Sequence, residues 1–113
     1  MEIRDMAMVA AKAIDDKKGR DITIIDIGAK AAFADYMIIA AGGSERQVSA
    51  LCDEVEDKLA ENGVFVKHIE GKNSGWILMD YGDIIVNLLT EDLRERYNIE
   101  KVWVDCEFLN LED

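Results

Sequence analysis

The sequence predicts an α/β fold: one domain in which a mixed sheet of five strands is flanked by two long helices and a short one. Two segments place apolar residues at helical spacing, and five shorter segments are rich in β-branched and aliphatic residues. A strand–helix–strand unit in the middle of the chain allows parallel pairing. A length of 113 residues fits one domain.

The helices are predicted from their apolar stripes and their ends. The first covers residues 2–18 and is closed by Gly19. The second begins at Ser44, forms a capping box with Gln47, and ends at Asn62-Gly63. A short helix from about Glu91 to Arg96 follows near the end of the chain.

The strands are predicted from apolar runs that end at glycines or polar residues. They cover residues 21–27, 36–41, 64–69, 76–80 and 83–89. The second strand is apolar apart from one tyrosine hydroxyl, which is typical of a central strand buried on both faces. The last two surround Tyr81-Gly82 and predict a β-hairpin. We assign residues 1–104 to the domain and residues 105–113 to an acidic C-terminal tail with a frayed end.

Charge narrows the possible partners. The formal net charge of −11 would repel phosphates, so direct nucleic-acid readout is not expected. A basic protein partner would be attracted; the alternative interpretation is that acidity only keeps a small domain soluble.

The expected location is the cytoplasm. No apolar run approaches the roughly 18 residues of a membrane helix, so no membrane contact is expected. The N-terminus lacks the apolar core of a signal peptide. Two distant cysteines, Cys52 and Cys106, are typical of a protein in a reducing compartment.

The residues that enzyme chemistry requires are scarce. His68 is the only histidine, so neither a metal site nor a cofactor is expected. A nucleophilic pair of His68 with Cys52 or Cys106 is disfavoured, because Cys52 lies on the apolar stripe of the second helix.

The turn Gly42-Gly43-Ser44 carries the alternative function, a nucleotide-binding enzyme of the nucleotidyltransferase type. A glycine-rich turn that opens a helix presents amides to anions. Such enzymes also need paired aspartates on the next strand, and residues 64–69 contain no carboxylate. The predicted protein is therefore not an enzyme.

The predicted hairpin is apolar on both faces. Trp76, Leu78 and Asp80 share one face, and Tyr81 shares the other. Helices could cover both faces; the other interpretation is a docking surface rimmed by carboxylates. Asp80 and Asp83 flank the turn, where they either cap it or contact a partner.

Three motifs follow one another along the chain. Residues 34–42 read ADYMIIAAG and precede Ser44 and Arg46-Gln47-Val48; residues 76–86 read WILMDYGDIIV and follow Glu70-Gly71; residues 97–103 read YNIEKVW and precede Asp105. Together they resemble the signatures of the ribosomal silencing factor (Iojap-like) family, in order and at the family's spacing.

The resemblance implies a nucleotidyltransferase-like topology without the catalytic carboxylates. It also implies a non-enzymatic function: binding to the fourteenth protein of the large ribosomal subunit at the intersubunit face. The bound factor would block joining of the small subunit and repress translation when nutrients are scarce.

The family pattern also implies roles for particular residues. Asp35 and Arg46 match it as an ion pair across the turn of Gly42 and Ser44. The chain departs from the pattern at Asn87, where a histidine is usual, and at Leu89, where an aromatic residue is usual. A homodimer through the hairpin face is a further possible assembly. The docking role falls on Trp76, Leu78, Asp80, Tyr81, Asp83 and Asn87.

Overall fold

A computed structural model describes residues 1–111, which form six strands, three α-helices and one 3-10 helix. The strands are β1 (Arg20–Asp26), β2 (Tyr36–Gly42), β3 (His68–Glu70), β4 (Trp76–Asp80), β5 (Ile84–Thr90) and β6 (Glu107–Leu109). The α-helices are α1 (Ile3–Asp16), α2 (Glu45–Glu61) and α3 (Glu91–Arg96), and the 3-10 helix covers Ile99–Trp103. None of these helices is long and apolar enough to cross a membrane.

The strands form one mixed sheet in the order β3-β4-β5-β2-β1-β6. Strands β2 and β5 run parallel at its centre, and every other neighbouring pair is antiparallel. The central position of β2 and β5 follows from their composition, because both carry apolar residues on both faces. The predicted single α/β domain with a mixed sheet is confirmed.

Helices α1 and α2 pack side by side on the same face of the sheet. Their apolar stripes meet the inward residues of the central strands, including Ile38 of β2 and Val86 of β5. The larger hydrophobic core lies between these two helices and the sheet.

The opposite face is covered only over part of its width. A second, smaller core contains Ile25, Met37, Ile39 and Trp103, with Leu93 of α3 packed against it. The long helix that contacts β4 is α2, which lies on the other side of the sheet. The second face of β3 and β4 is therefore left without a covering long helix.

The parallel partner of β2 differs from the prediction. It is β5, whereas the strand after α2 is short, lies at the sheet edge and pairs antiparallel with β4. Residues 64–67 follow the end of α2, where Val64 N–H donates to the Leu59 carbonyl at 2.9 Å. A central position buries both faces of a strand, so placing the apolar β5 there removes more apolar surface from water than placing the polar segment His68–Glu70 there would.

The predicted acidic tail contributes a sixth strand. Residues Glu107–Leu109 pair antiparallel with β1, and Leu109 and Leu111 pack against the larger core. Apolar side chains in this segment give it a reason to order on the sheet, which its acidic composition concealed. The predicted fraying concerns residues 112 and 113, which lie outside the described residues.

Candidate docking surface

Strands β3 and β4 present a partly exposed surface on the side of the sheet opposite α1 and α2. We call this the open face and define it by His68, Glu70, Trp76, Leu78 and Asp80. Strand register places His68 beside Asp80 and Glu70 beside Leu78. Trp76, Leu78 and Asp80 are each half-buried. Sheet geometry thus brings three of the predicted docking residues together with two charged neighbours from β3.

The floor of the open face comes from β5. Asn87 lies directly beside Leu78, and Ile85 lies beside Asp80. Both are buried, with exposed fractions of 3 % for Asn87 and 8 % for Ile85, so Asn87, predicted as a docking residue, lies beneath the open face. The cause is that β5 lies between β4 and β2, where side chains of both neighbours shield it.

The indole of Trp76 is held by two contacts. Its Nε1–H donates to Asn87 Oδ1 at 2.9 Å. Its ring also packs against Tyr97, with ring centroids 5.3 Å apart and an interplanar angle of 40°. The buried amide of Asn87 therefore positions the tryptophan of the open face.

A shallow groove runs along the edge of the open face. It has a volume of about 380 Å³ and is lined by Glu70, Gly71, Trp76 and Leu78. Apolar walls beside a carboxylate suit the side chain of a basic partner, whose aliphatic stem and charged end need both kinds of contact.

The turn between β4 and β5 is built by its aspartates. Asp80 Oδ1 accepts a hydrogen bond from Gly82 N–H at 2.8 Å, and Gly82 takes a φ of +88° that favours glycine. The Asp83 carbonyl accepts from Asp35 N–H at 2.8 Å, while the Asp83 side chain is exposed. The turn-capping interpretation of Asp80 is therefore correct, and its half-buried side chain still borders the open face.

Tyr81, predicted as a docking residue, lies on the opposite side of the sheet from the open face. Its side chain is 3 % exposed and belongs to the core on the α2 side of the sheet. Burial raises the pKa of the Tyr81 phenol well above its usual range, and Glu56 and Cys52 raise it further. The family motif placed Tyr81 beside Asp80 in sequence, but successive strand residues point to opposite faces.

The predicted ion pair between Asp35 and Arg46 does not form. Asp35 precedes β2 and Arg46 follows it, at opposite ends of a seven-residue strand. A strand rises about 3.3 Å per residue, which separates the two residues by roughly 20 Å. Asp35 instead borders Gly28 and Tyr36, and Arg46 is exposed on α2.

The turn of Gly42, Gly43 and Ser44 forms a variant of the predicted capping box, in which the Gln47 side chain reaches the residue before the N-cap. Ser44 Oγ accepts from Gln47 N–H at 3.1 Å, and Gln47 Oε1 accepts from Gly43 N–H at 2.6 Å. The Gln47 side chain thus occupies the Gly43 N–H, and Ser44 Oγ occupies the Gln47 N–H, so neither amide is free for a phosphate ligand. No observation at this turn favours the nucleotidyltransferase alternative.

The sheet separates the candidate Cys–His pairs. His68 is on the open face, with its Nε2 3.1 Å from Glu70 Oε1, whereas Cys52 lies on the buried side of α2, on the other face of the sheet. Cys106 is at the opposite edge of the sheet, beside β6. Across residues 1–111, no group of three or more His, Cys, Asp or Glu residues is arranged to hold a metal ion.

Tyr97, like His68 and Glu70, lies at this site and was not among the predicted docking residues. It is 46 % exposed and covers one side of the Trp76 ring. It belongs to the third family motif, but no local pattern links it to a residue 21 positions earlier. The available signals were its place in that motif and its position at the end of a helix.

Comparison with known proteins places this geometry in a family. The family model described as "Ribosomal silencing factor during starvation" matches residues 1–113. The ribosomal silencing factor RsfS of Bacillus subtilis is 38 % identical over 113 residues, covering 99 % of this chain and 96 % of that protein. A crystal structure of a protein from Chromobacterium violaceum superimposes with a TM-score of 0.88 at 39 % identity, covering 91 % of this chain and 87 % of the other.

A more distant relative carries a related name. The mouse protein "Mitochondrial assembly of ribosomal large subunit protein 1" is 29 % identical over 92 residues, covering 77 % of this chain and 40 % of that protein. The family model spans the whole chain, and the bacterial relative matches it over nearly its full length. The family expected from the three motifs is confirmed, and this chain belongs to the ribosomal silencing factor family.

Proposed function

We propose that this protein docks on the large ribosomal subunit through the open face and thereby prevents the small subunit from joining. The partner we infer is the fourteenth protein of the large subunit, at the intersubunit face. The resulting shortage of joined ribosomes would repress translation during nutrient limitation. The observation that carries the proposal is the position of Trp76, whose indole is held by Asn87 and Tyr97 on a sheet face that no long helix covers.

The chemistry of the open face supports a protein partner. Tryptophan is a frequent anchor of protein interfaces because it buries a large area at modest cost in side-chain entropy. Trp76 and Leu78 supply apolar area, and Glu70 and Asp80 surround it with carboxylates. A surface of this kind fits a basic protein.

The net charge supports the same class of partner. A chain with a formal net charge of −11 is attracted to basic ribosomal proteins and repelled by exposed RNA. Binding would therefore be directed to a protein on the subunit surface. The names of the relatives, which refer to ribosomal silencing and to the large subunit, agree with this choice.

The proposed mechanism is steric and requires no bond to be made or broken. A protein of 32 × 32 × 27 Å that occupies part of the intersubunit face excludes whatever would pack there. Its effectiveness depends on affinity and residence time, so the residues of the open face matter through binding alone.

The test is co-sedimentation with isolated large subunits, using wild type and Trp76→Ala. Loss of an aromatic anchor costs about 2 kcal/mol or more, roughly thirtyfold in affinity. The matched control is Met8→Ala, which shortens a half-buried apolar side chain of α1 on the opposite side of the sheet. We expect wild type and the Met8 variant to bind and the folded Trp76 variant to be released.

A second readout tests the steric step. Purified small and large subunits are mixed with each variant, and joined ribosomes are measured by gradient centrifugation. Wild type should lower the joined fraction, and Trp76→Ala should not. Failure of wild type to co-sediment would refute the docking proposal, whereas binding without an effect on joining would refute the steric mechanism alone.

A further inference from the structure

The Tyr97 ring lies against the indole of Trp76 at the border of the open face. We propose that Tyr97 is a positioning residue of the docking surface, which holds the Trp76 indole in its binding conformation before the partner arrives. This inference rests on the proposed function and adds a residue outside the hairpin to it. The two rings are 5.3 Å apart between centroids and are tilted by 40°.

Tyr97 is placed by the way α3 ends. It is the C-cap residue of α3, with φ −104° and ψ 79°, and its N–H donates to the Leu93 carbonyl at 2.8 Å. This conformation leaves the helical path at the point where α3 approaches the start of β4. The side chain therefore leaves the helix over Trp76.

Helix α3 is itself fixed by contacts with two separate segments. Arg94 is 8 % exposed and donates through Nη2 to the Asp21 carbonyl and to Thr23 Oγ1, both at 2.9 Å, which ties α3 to β1. At the β4 side, Leu93 packs so closely that a Cβ on Gly75 would lie 2.8 Å from Leu93 Cδ1. Tyr97 consequently has a defined position and can restrict its neighbour.

The two contacts of Trp76 are complementary. The hydrogen bond to Asn87 fixes the indole edge that carries Nε1, and the Tyr97 ring covers the indole surface. An anchor held in one conformation loses less side-chain entropy on binding, which raises affinity. A ring that is 46 % exposed contributes modestly to the core, so the position of Trp76 is the larger consequence of the contact.

The first test measures the position of the indole without any partner. The chain has two tryptophans, so a ¹H–¹⁵N spectrum shows two indole N–H signals, and Trp76→Phe assigns one of them. In Tyr97→Leu, we expect hydrogen exchange of the Trp76 indole N–H to accelerate about threefold or more while that of Trp103 is unchanged. Tyr97→Phe keeps the ring and should restore the wild-type exchange rate.

The second test measures affinity for isolated large subunits. We expect Tyr97→Leu to weaken binding about three- to tenfold and Tyr97→Phe to remain within about twofold of wild type. In a Trp76→Ala background, Tyr97→Leu should have no further effect, because the residue it positions is gone.

The outcomes separate this inference from the proposed function. Unchanged indole exchange in Tyr97→Leu, or equal losses from Tyr97→Leu with and without Trp76, would overturn the positioning role. In that case Trp76→Ala would still release the protein, and the docking proposal would stand. Absence of wild-type binding would instead overturn the proposed function and this inference with it.

Discussion

The hydroxyl group of Tyr81 is buried beneath α2 and has no hydrogen-bond partner in the described part of the chain. A buried hydroxyl without a partner costs about 1–3 kcal/mol, because it loses its hydrogen bonds to water. The ring fills the larger core, while the oxygen contributes nothing that the structure shows. Tyr81 therefore combines favourable packing with an unfavourable polar atom.

Removing that oxygen should stabilise the protein. We expect Tyr81→Phe to raise the free energy of unfolding by about 1 kcal/mol, because the ring stays in place and the unpaired hydroxyl is gone. Urea denaturation of the two proteins measures the difference. The same variant should bind large subunits like wild type, and loss of binding by folded Tyr81→Phe would return Tyr81 to the docking surface.

At the scale of secondary-structure elements, Gln47 connects the end of α1 to the start of α2. Its Oε1 accepts from Gly43 N–H at 2.6 Å, and its Nε2 donates to the Lys18 carbonyl at 3.1 Å. Lys18 has a φ of +66°, a conformation that is costly for a residue with a side chain. The Gln47 side chain thus bonds to a residue after the end of α1 and to a residue before the start of α2, which links the two long helices.

Substitution of Gln47 should cost more than the loss of a simple helix cap. We expect Gln47→Ala to lower the free energy of unfolding by about 1–2 kcal/mol, since it removes hydrogen bonds at the end of α1 and at the start of α2. Gln47→Glu is the matched control, because it keeps the acceptor for Gly43 N–H but loses the donor to the Lys18 carbonyl. Its free energy of unfolding should lie between those of wild type and Gln47→Ala. Unchanged stability of Gln47→Ala in urea denaturation would contradict this role.

At the scale of the whole molecule, the net charge of −11 has two possible roles: it attracts a basic partner, or it only keeps the domain soluble. Screening distinguishes these roles, because attraction between exposed charges weakens beyond a Debye length of about 10 Å at 0.1 M salt. The carboxylates of Glu70 and Asp80 give the open face a local share of that charge.

If the charge steers docking, affinity should depend on salt. Between about 50 and 300 mM monovalent salt at constant magnesium, we expect affinity for large subunits to fall by roughly an order of magnitude. Asp80→Asn should weaken binding more than Asp53→Asn, which removes an exposed charge from α2 on the opposite side. An affinity independent of salt would leave solubility as the role of the charge.

The local features of this chain were predictable because they depend on residues near one another in sequence. The stripes of α1 and α2, the Ser44–Gln47 capping box and the β4–β5 hairpin all agree with the structure. Each arises from a repeat of 3.6 or two residues, or from a contact across three positions. The family motifs gave the family and, for Trp76, Leu78 and Asp80, the surface on which they meet.

Contacts between distant segments were decided only by the tertiary structure. The parallel pairing of β2 with β5, the addition of β6 to β1 and the contact of Tyr97 with Trp76 each join residues far apart in sequence. The distance of roughly 20 Å between Asp35 and Arg46 is different, because it follows from the length of a strand that the sequence predicts. By itself the sequence determined its helices, its hairpin and its family, because periodicity and spacing are local. Which strands became neighbours, and which side chains remained at the surface, depended on the competition of all apolar segments for one core.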